Sequence, residues 1–314
     1  MHDAALIKEI NRIYHEHEAA VYDAQHPEIF ERERHTWKRL AGFIPKSSGG
    51  RYIIDVGSGT GFVFEILVEH LGATDTFMFT DISPKMLERA KEKFLSRRIR
   101  KLAFIVSDAD MLPVADGAAD AITVNSVLHH LPDSGAFFRE VNRVLKPGGL
   151  LLIAHEPNRA FWKNPVNRLI VWVISKWRGL KKRYGIWVRG LEESGARQAP
   201  GASPYEEIYR SVNAELLQKG FITASLLPEE IQSYVDAHSP TASARPRIEE
   251  GFVPDEIPRR YLLGYRIISL ETSAHLGKFS AEANPVFSVL ENILRRLLPR
   301  SGSSFTLVIQ KPYP

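Results

Sequence analysis

Short apolar runs alternate along the chain with stretches in which apolar residues recur at helical spacing. The runs predict strands at 53–56, 76–80, 102–106, 121–125, 150–155 and 221–227, with a strand-like tail at 305–310. Helical patterns lie between them: Met86, Leu87, Ala90 and Phe94; Phe137, Val141, Val144 and Leu145; and 205–219, which Gly220 stops. Residues 3–42 read as one or two amphipathic helices through Ile10, Ile13, Tyr14, Val21 and Tyr22, continuing after Pro27 with Phe30, Trp37 and Leu40. Pro45-Lys46-Ser47-Ser48-Gly49-Gly50 is a linker into the first strand.

The most informative break in this pattern is Ile53-Ile54-Asp55-Val56-Gly57-Ser58-Gly59-Thr60-Gly61-Phe62. An apolar run ends in an acid, glycines alternate, and a helix begins at about Thr60. Glycine lets the backbone come close to a ligand, and a helix start offers free N–H groups, so this turn predicts a nucleotide-like pocket at a strand's carboxyl end. The dinucleotide fingerprint would need its third glycine at the position of Phe62, where a ring crowds helix against strand. Asp81 closes the second strand about 20 residues past the turn, where a carboxylate suits a ribose diol. Ser83-Pro84 then offers an N-cap and a first-turn proline.

The spacing Asp55-x-Gly57-x-Gly59-x-Gly61 resembles motif I of class I S-adenosylmethionine-dependent methyltransferases. The resemblance continues in order through Asp81-Ile82-Ser83-Pro84-Lys85-Met86-Leu87, Ser107-Asp108-Ala109-Asp110, Asn125-Ser126-Val127-Leu128-His129-His130 and Leu145-Lys146-Pro147-Gly148-Gly149-Leu150. It covers roughly 50–157 closely and the tail at 305–310 loosely. It implies a doubly wound, Rossmann-like α/β fold: a seven-stranded, mostly parallel sheet with an antiparallel last strand, an N-terminal helical lid and two helical insertions. It implies S-adenosyl-L-methionine as cofactor. Gly57, Ser58, Gly59 and Gly61 would form the methionine-side cradle, with Asp55 supporting that loop. Asp81, with Ile82 beside it, would hold the ribose; Asp108 and Ala109 would frame adenine; Asn125 and Ser126 would face the methionine part. A proton acceptor, where the reaction needs one, is sought in His130, His155 and Glu156. No metal ligand set is named. Asn-Pro-Pro-Tyr does not follow the fourth strand, which removes one nucleobase-methylating reading.

Composition changes this picture little, except in one segment. Apolar residues make up 44% and charged residues 25%, as in an ordinary soluble domain, and there is no cysteine to serve as nucleophile, disulfide or thiolate ligand. The net charge of +4 is uneven: 158–191 holds Arg159, Lys163, Arg168, Lys176, Arg178, Lys181, Lys182, Arg183 and Arg189 with no acid, so the rest of the chain is net negative. Trp162, Trp172, Trp177 and Trp187 lie in the same stretch. Such a segment suits an interfacial helix on anionic lipid at 159–189, a lid over an apolar or acidic substrate, or a helix packed on the core with solvated charges. Nucleic acid is disfavoured.

The expected division is a lid at 1–48, a cofactor-binding core at 49–157, a basic aromatic insertion at 158–204 ending in a mobile loop, a core helix and strand at 205–227, a second insertion at 228–304 and a final strand at 305–314. The expected function is methyl transfer to a small or lipid-like acceptor, with oxygen or carbon as acceptor atom. The alternative is a non-catalytic S-adenosylmethionine-binding partner or sensor. Met1-His2-Asp3 is no secretory start and no apolar run approaches 18 residues. The expected location is therefore cytoplasmic, peripheral to the inner membrane face if the basic segment meets lipid.

Overall fold

In the computed structural model, residues 4–25, 27–46, 49–72, 74–95, 101–184, 204–238, 251–281 and 285–314 are described. Three helices open the chain: α1 (Ala4–Glu18), α2 (Tyr22–Gln25) and α3 (Pro27–Ala41). The core then runs β1 (Tyr52–Val56), α4 (Phe62–Leu67), β2 (Thr76–Asp81), α5 (Pro84–Phe94), β3 (Leu102–Val106), β4 (Ala119–Asn125), α6 (Ser134–Val144) and β5 (Leu145–Pro157). After it come α7 (Arg159–Lys163), α8 (Pro165–Tyr184), α9 (Pro204–Gln218), α10 (Pro228–Val235), α11 (Ile257–Tyr261), β6 (Arg266–Ser273), α12 (Pro285–Leu297) and β7 (Ser304–Gln310).

The strands form one seven-stranded sheet in the order β3-β2-β1-β4-β5-β7-β6. Strands β1 to β5 pair in parallel, and β7 lies antiparallel to both β5 and β6. The chain reverses its direction of sheet growth between β1 and β4, so the crevice at their carboxyl ends is where such a sheet receives a ligand.

Side chains alternate across the central strands, and both faces are covered. Ile54, Val56 and Met78 join Phe137, Phe138 and Val141 of α6 on one face. Ile53, Phe77 and Phe79 join Trp37 of α3, Phe64 of α4 and Phe94 of α5 on the other. Four of these rings form an aromatic knot: Phe64 meets Phe77 at 4.7 Å, Phe79 at 5.0 Å and Phe94 at 4.9 Å between centroids. Each such contact adds about 0.5–1.5 kcal/mol beyond area burial. Helix α5 is capped as its sequence predicts: Ser83 Oγ accepts from Met86 N at 3.3 Å and Pro84 holds the first turn.

Four details differ from the sequence reading. The first core helix begins at Phe62 rather than Thr60, because Gly61 sits in the left-handed region at φ 87°. Strand β5 runs through Lys146-Pro147-Gly148-Gly149 instead of starting after it; Leu145 pairs with Ala119 and the register slips before Leu150 rejoins Ala121. The strand expected at 221–227 does not form. Asn213 of α9 occupies the backbone there instead, donating to Leu226 O at 2.9 Å and accepting from Leu226 N at 2.7 Å, while Phe221 and Leu227 stay exposed. Helix α9 packs against α1 and α10 in a cluster of its own rather than against the sheet. The sixth strand is β6, inside the span taken as a second insertion, where it pairs antiparallel with β7 at the sheet's edge. The mobile loop expected at the end of the first insertion lies outside the described residues.

The entry to β1 is fixed by a buried ion pair. Asp75 accepts from Arg51 N at 2.7 Å and from Arg51 Nε at 3.1 Å, and Arg51 also donates to Pro45 O and His70 O. Arg51 and Asp75 side chains are 7% and 1% exposed. Removing one partner of such a pair strands the other charge away from water. We expect Asp75→Ala to lower unfolding free energy by about 3–5 kcal/mol in a urea titration.

Candidate active site

The glycine turn after β1 has two kinds of glycine. A Cβ at Gly57 would lie 2.4 Å from Val127 Cγ2, and one at Gly61 would lie 2.4 Å from Phe94 Cε2. These two are glycine because the protein packs against them. A Cβ at Gly59 would meet nothing within 4 Å, so there the backbone faces open space. The turn is held by Ser58 N donating to Thr80 O at 2.9 Å and Gly61 N to Ser58 O at 2.8 Å.

Asp81 ties this turn to the next helix. One carboxylate oxygen accepts from Gly59 N at 2.9 Å and the other from Ser83 N at 2.8 Å. Burial raises its pKa against those two donors. Asp55 lies deeper, 1% exposed, and accepts from Thr123 Oγ1 at 2.6 Å. Burial pushes its pKa up to about 7.

A cavity of about 770 Å³, including its mouth, opens over these carboxyl ends. Eight of the eleven expected cofactor residues line it: Gly57, Gly59, Asp81, Ile82, Asp108, Ala109, Asn125 and Ser126. Asp55, Ser58 and Gly61 lie behind it. Of the expected proton acceptors only His130 lines it. His155 turns instead to α3, with Nδ1 3.1 Å from Glu33 Oε1. Glu156 is fully buried and accepts from the backbone N of Val127 at 2.6 Å, Leu128 at 2.8 Å and His129 at 3.2 Å, with His129 Nδ1 at 2.9 Å. It positions the loop after β4 and does not line this cavity.

His130 Nδ1 lies 2.7 Å from Val235 O. A carbonyl only accepts, so Nδ1 carries the proton and Nε2 keeps the lone pair. Burial, together with the neighbouring His129 and His15, holds the His130 pKa well below the usual imidazole range. His15, from α1, comes edge-on to His130 at 5.2 Å between centroids and also lines the cavity. Its Nδ1 lies 3.1 Å from Glu18 Oε2. Burial works to lower the His15 pKa, but Glu18 prevails and raises it.

Helix α1 forms the cavity's roof. Lys8, Asn11 and His15 line it from successive turns, Tyr22 of α2 joins them, and Tyr14 packs away from it against α9 and α10. Lys8 Nζ lies 2.7 Å from both Asp108 and Asp110, bridging the lid to the loop after β3. These α1 residues are absent from the expected site. Their signal is a polar stripe at i, i+3 and i+7 beside the apolar face of α1. His129, His130 and Asp236 also bring one donor atom each within 4.8 Å of one another, a set that the sequence separation of Asp236 conceals.

Residues 54–153 match the family described as Methyltransferase domain. Over those residues the chain is similar to methyltransferase domains. A 164-residue segment is 28% identical to a ubiquinone/menaquinone biosynthesis C-methyltransferase of Pseudomonas putida, covering 52% of this chain and 61% of that one. The match thus spans about three-fifths of that relative's length. Over 194 residues the chain is 28% identical to a demethylmenaquinone methyltransferase of Listeria welshimeri, covering 60% of this chain and 80% of that one. Among solved structures, the methyltransferase in a complex with the Haloferax volcanii Trm112 methyltransferase activator aligns over 95% of this chain and 98% of that one, with 17% identity and a TM-score of 0.51. That likeness is one of fold.

The residues of this methyltransferase-like domain fit S-adenosylmethionine. Ser58 Oγ and Asp55 Oδ2 are buried beside the turn without a hydrogen-bond partner, Gly59 leaves open room, and Asp81 faces the cavity from the adjoining strand. The Lys8 bridge should be a modest latch, since partly exposed ion pairs contribute about 0.2–1 kcal/mol. We expect Lys8→Ala to speed amide exchange in α1 by about 2- to 5-fold, read by hydrogen exchange, with little change in global stability.

Proposed function

We propose that the protein transfers a methyl group from S-adenosylmethionine to a small, lipid-like acceptor of the phenol or enol type, at oxygen or carbon. The observation that carries this reading is one cavity that joins the Gly59–Asp81 cradle to the facing imidazoles of His15 and His130. One relative is named for demethylmenaquinone, whose reduced, hydroquinone form is a phenol.

When bound, S-adenosylmethionine supplies an electrophilic methyl group on a good thioether leaving group. Methyl displacement is in line, so the protein's share is alignment and proton removal. Asp81 would accept hydrogen bonds from the ribose hydroxyls, its carboxylate held in place by its two backbone donors. Asp108 and Ala109 would frame the adenine end, and Asn125 and Ser126 would face the methionine end. Asn125 is fixed by Trp37 Nε1, which donates to its Oδ1 at 2.8 Å. Met86, Val127, Leu131 and Pro132 give the cavity apolar wall that excludes water and suits an apolar acceptor. His130 Nε2 takes the acceptor's hydroxyl proton. His15, raised by Glu18, adds positive charge beside the oxyanion that results.

Calorimetry with S-adenosylmethionine and with NAD tests the cofactor half. Binding of the first alone supports the reading, and preference for NAD overturns it. Asp81→Ala should weaken S-adenosylmethionine binding about 10- to 100-fold, the loss of hydrogen bonds to a charged acceptor. Methyl transfer to a panel of hydroquinones and phenols tests the catalytic half. Tight cofactor binding with no product across the panel favours a sensor instead. His130→Ala should cut turnover about 100-fold or more while cofactor affinity stays near that of the parent chain. Because the His130 pKa is depressed, its neutral form persists as pH falls, so the acid limb of turnover should lie below pH of about 6.5. Unchanged turnover in the variant removes His130 from the mechanism.

A further inference from the structure

Helices α8 and α12 share one hydrophobic cluster, in which Ile170, Val171 and Ile174 of α8 meet Phe287, Leu290 and Leu294 of α12. Each helix has a second apolar face that this packing does not use. On α8 it is Leu169, Trp172 and Val173, with Trp172 57% exposed. On α12 it is Val289, Ile293 and Leu297, with Leu297 72% exposed. A helix apolar on both sides is one whose outer side meets something other than water.

The charges around this face say what that is. Arg168 and Lys176 of α8 and Arg295 and Arg296 of α12 are exposed beside it. Helix α8 has no Asp or Glu, and the one acid of α12, Glu291, is turned inward to His275, Leu276 N and Ser280. A second copy of the same face would set cation against cation, which disfavours a symmetric dimer. Apolar side chains rimmed by cations complement an anionic lipid surface. Among the described residues no helix is long and apolar enough to cross a membrane.

The face also lies at a telling edge of the sheet. Chain leaves β5 at Pro157 to enter α7 and α8, and it returns from α12 to begin β7 at Ser304, which pairs with Pro157. That is the edge at which β1, β2 and β4 end at the cavity. We infer that α8 and α12 form a docking surface that seats the protein on anionic phospholipid, with the cavity edge toward the bilayer. This widens the lipid contact expected at 159–189 to a second helix, Pro285–Leu297, that has no part in that basic segment.

Co-sedimentation of the full chain with vesicles of pure phosphatidylglycerol and of pure phosphatidylcholine tests it. The protein should pellet with the first and stay in solution with the second, and added salt should release it. Arg295→Gln with Arg296→Gln should weaken binding about 30-fold. Trp172→Ser with Ile293→Ser should weaken it at least as much, while thermal unfolding and S-adenosylmethionine binding stay unchanged. Equal pelleting with both vesicle types, or binding insensitive to both double variants, overturns the inference. So does a dimer in sedimentation velocity that the Trp172→Ser/Ile293→Ser variant dissolves, because the face would then belong to a second copy.

Discussion

Glu156 has no solvent exposure, yet its carboxylate serves three successive backbone N–H groups and one imidazole of the loop after β4. A carboxylate so far from water persists only when its lone pairs are filled, and these four donors fill them. The arrangement needs a bend in β5. His155 takes φ 59°, and the pairing of β5 with β7 slips between Ile153 and Glu156. The bulge turns Glu156 into the protein and sends His155 toward α3. With the loop clamped, Ser126 holds a left-handed φ of 60° and His130 is delivered to the cavity wall.

The same cavity has a second, independent support. Helix α10 offers two adjacent backbone carbonyls to opposite walls: Tyr234 O accepts from Asn11 of the lid at 3.3 Å, and Val235 O lies 2.7 Å from His130 Nδ1. Lid and sheet edge therefore register against one short helix as well as against each other. The apolar cluster of α1, α9 and α10 supplies the energy of docking, and these polar contacts supply the register. The lid and the β4 loop are positioned together, which is what a displacement reaction with strict in-line geometry requires.

What was legible in the sequence follows from how local each signal is. Strands β1 to β4 and the turn at Gly57-Ser58-Gly59 are written in consecutive residues, and the acid at each strand end is adjacent to the run that places it. The run at 221–227 has strand-like composition, but its fate was decided by Asn213, a side chain on the preceding helix that took over the backbone of Leu226. Nothing in an apolar run announces that its partner will be an amide side chain. His155 and Glu156 looked alike at the end of β5, since a single bulged residue determines which faces where. The α1 contribution was hidden because Lys8, Asn11 and His15 resemble the solvated side of an amphipathic helix until the helix is laid over the cavity.

The row of imidazoles at the cavity shows why that lid matters chemically. His129 is held by Glu156 and His15 by Glu18, and in each the carboxylate overcomes burial and raises the pKa. His130 sits between them, 4.0 Å from one ring and 5.2 Å from the other, with the neutral Val235 carbonyl as its hydrogen-bond partner and the Asp236 carboxylate farther off, 3.7 Å from Nδ1. Burial and two neighbours biased toward the cationic form leave it the ring that gives up its proton first. One end of this row comes from the clamped loop and the other from the lid. An acceptor oxygen entering between lid and loop would therefore meet a ring kept neutral by its burial and, next, by the two that flank it. The proposed division into base and electrostatic stabiliser thus rests on lid and loop together, since removing the lid takes away His15 with its carboxylate and relaxes the constraint on His130.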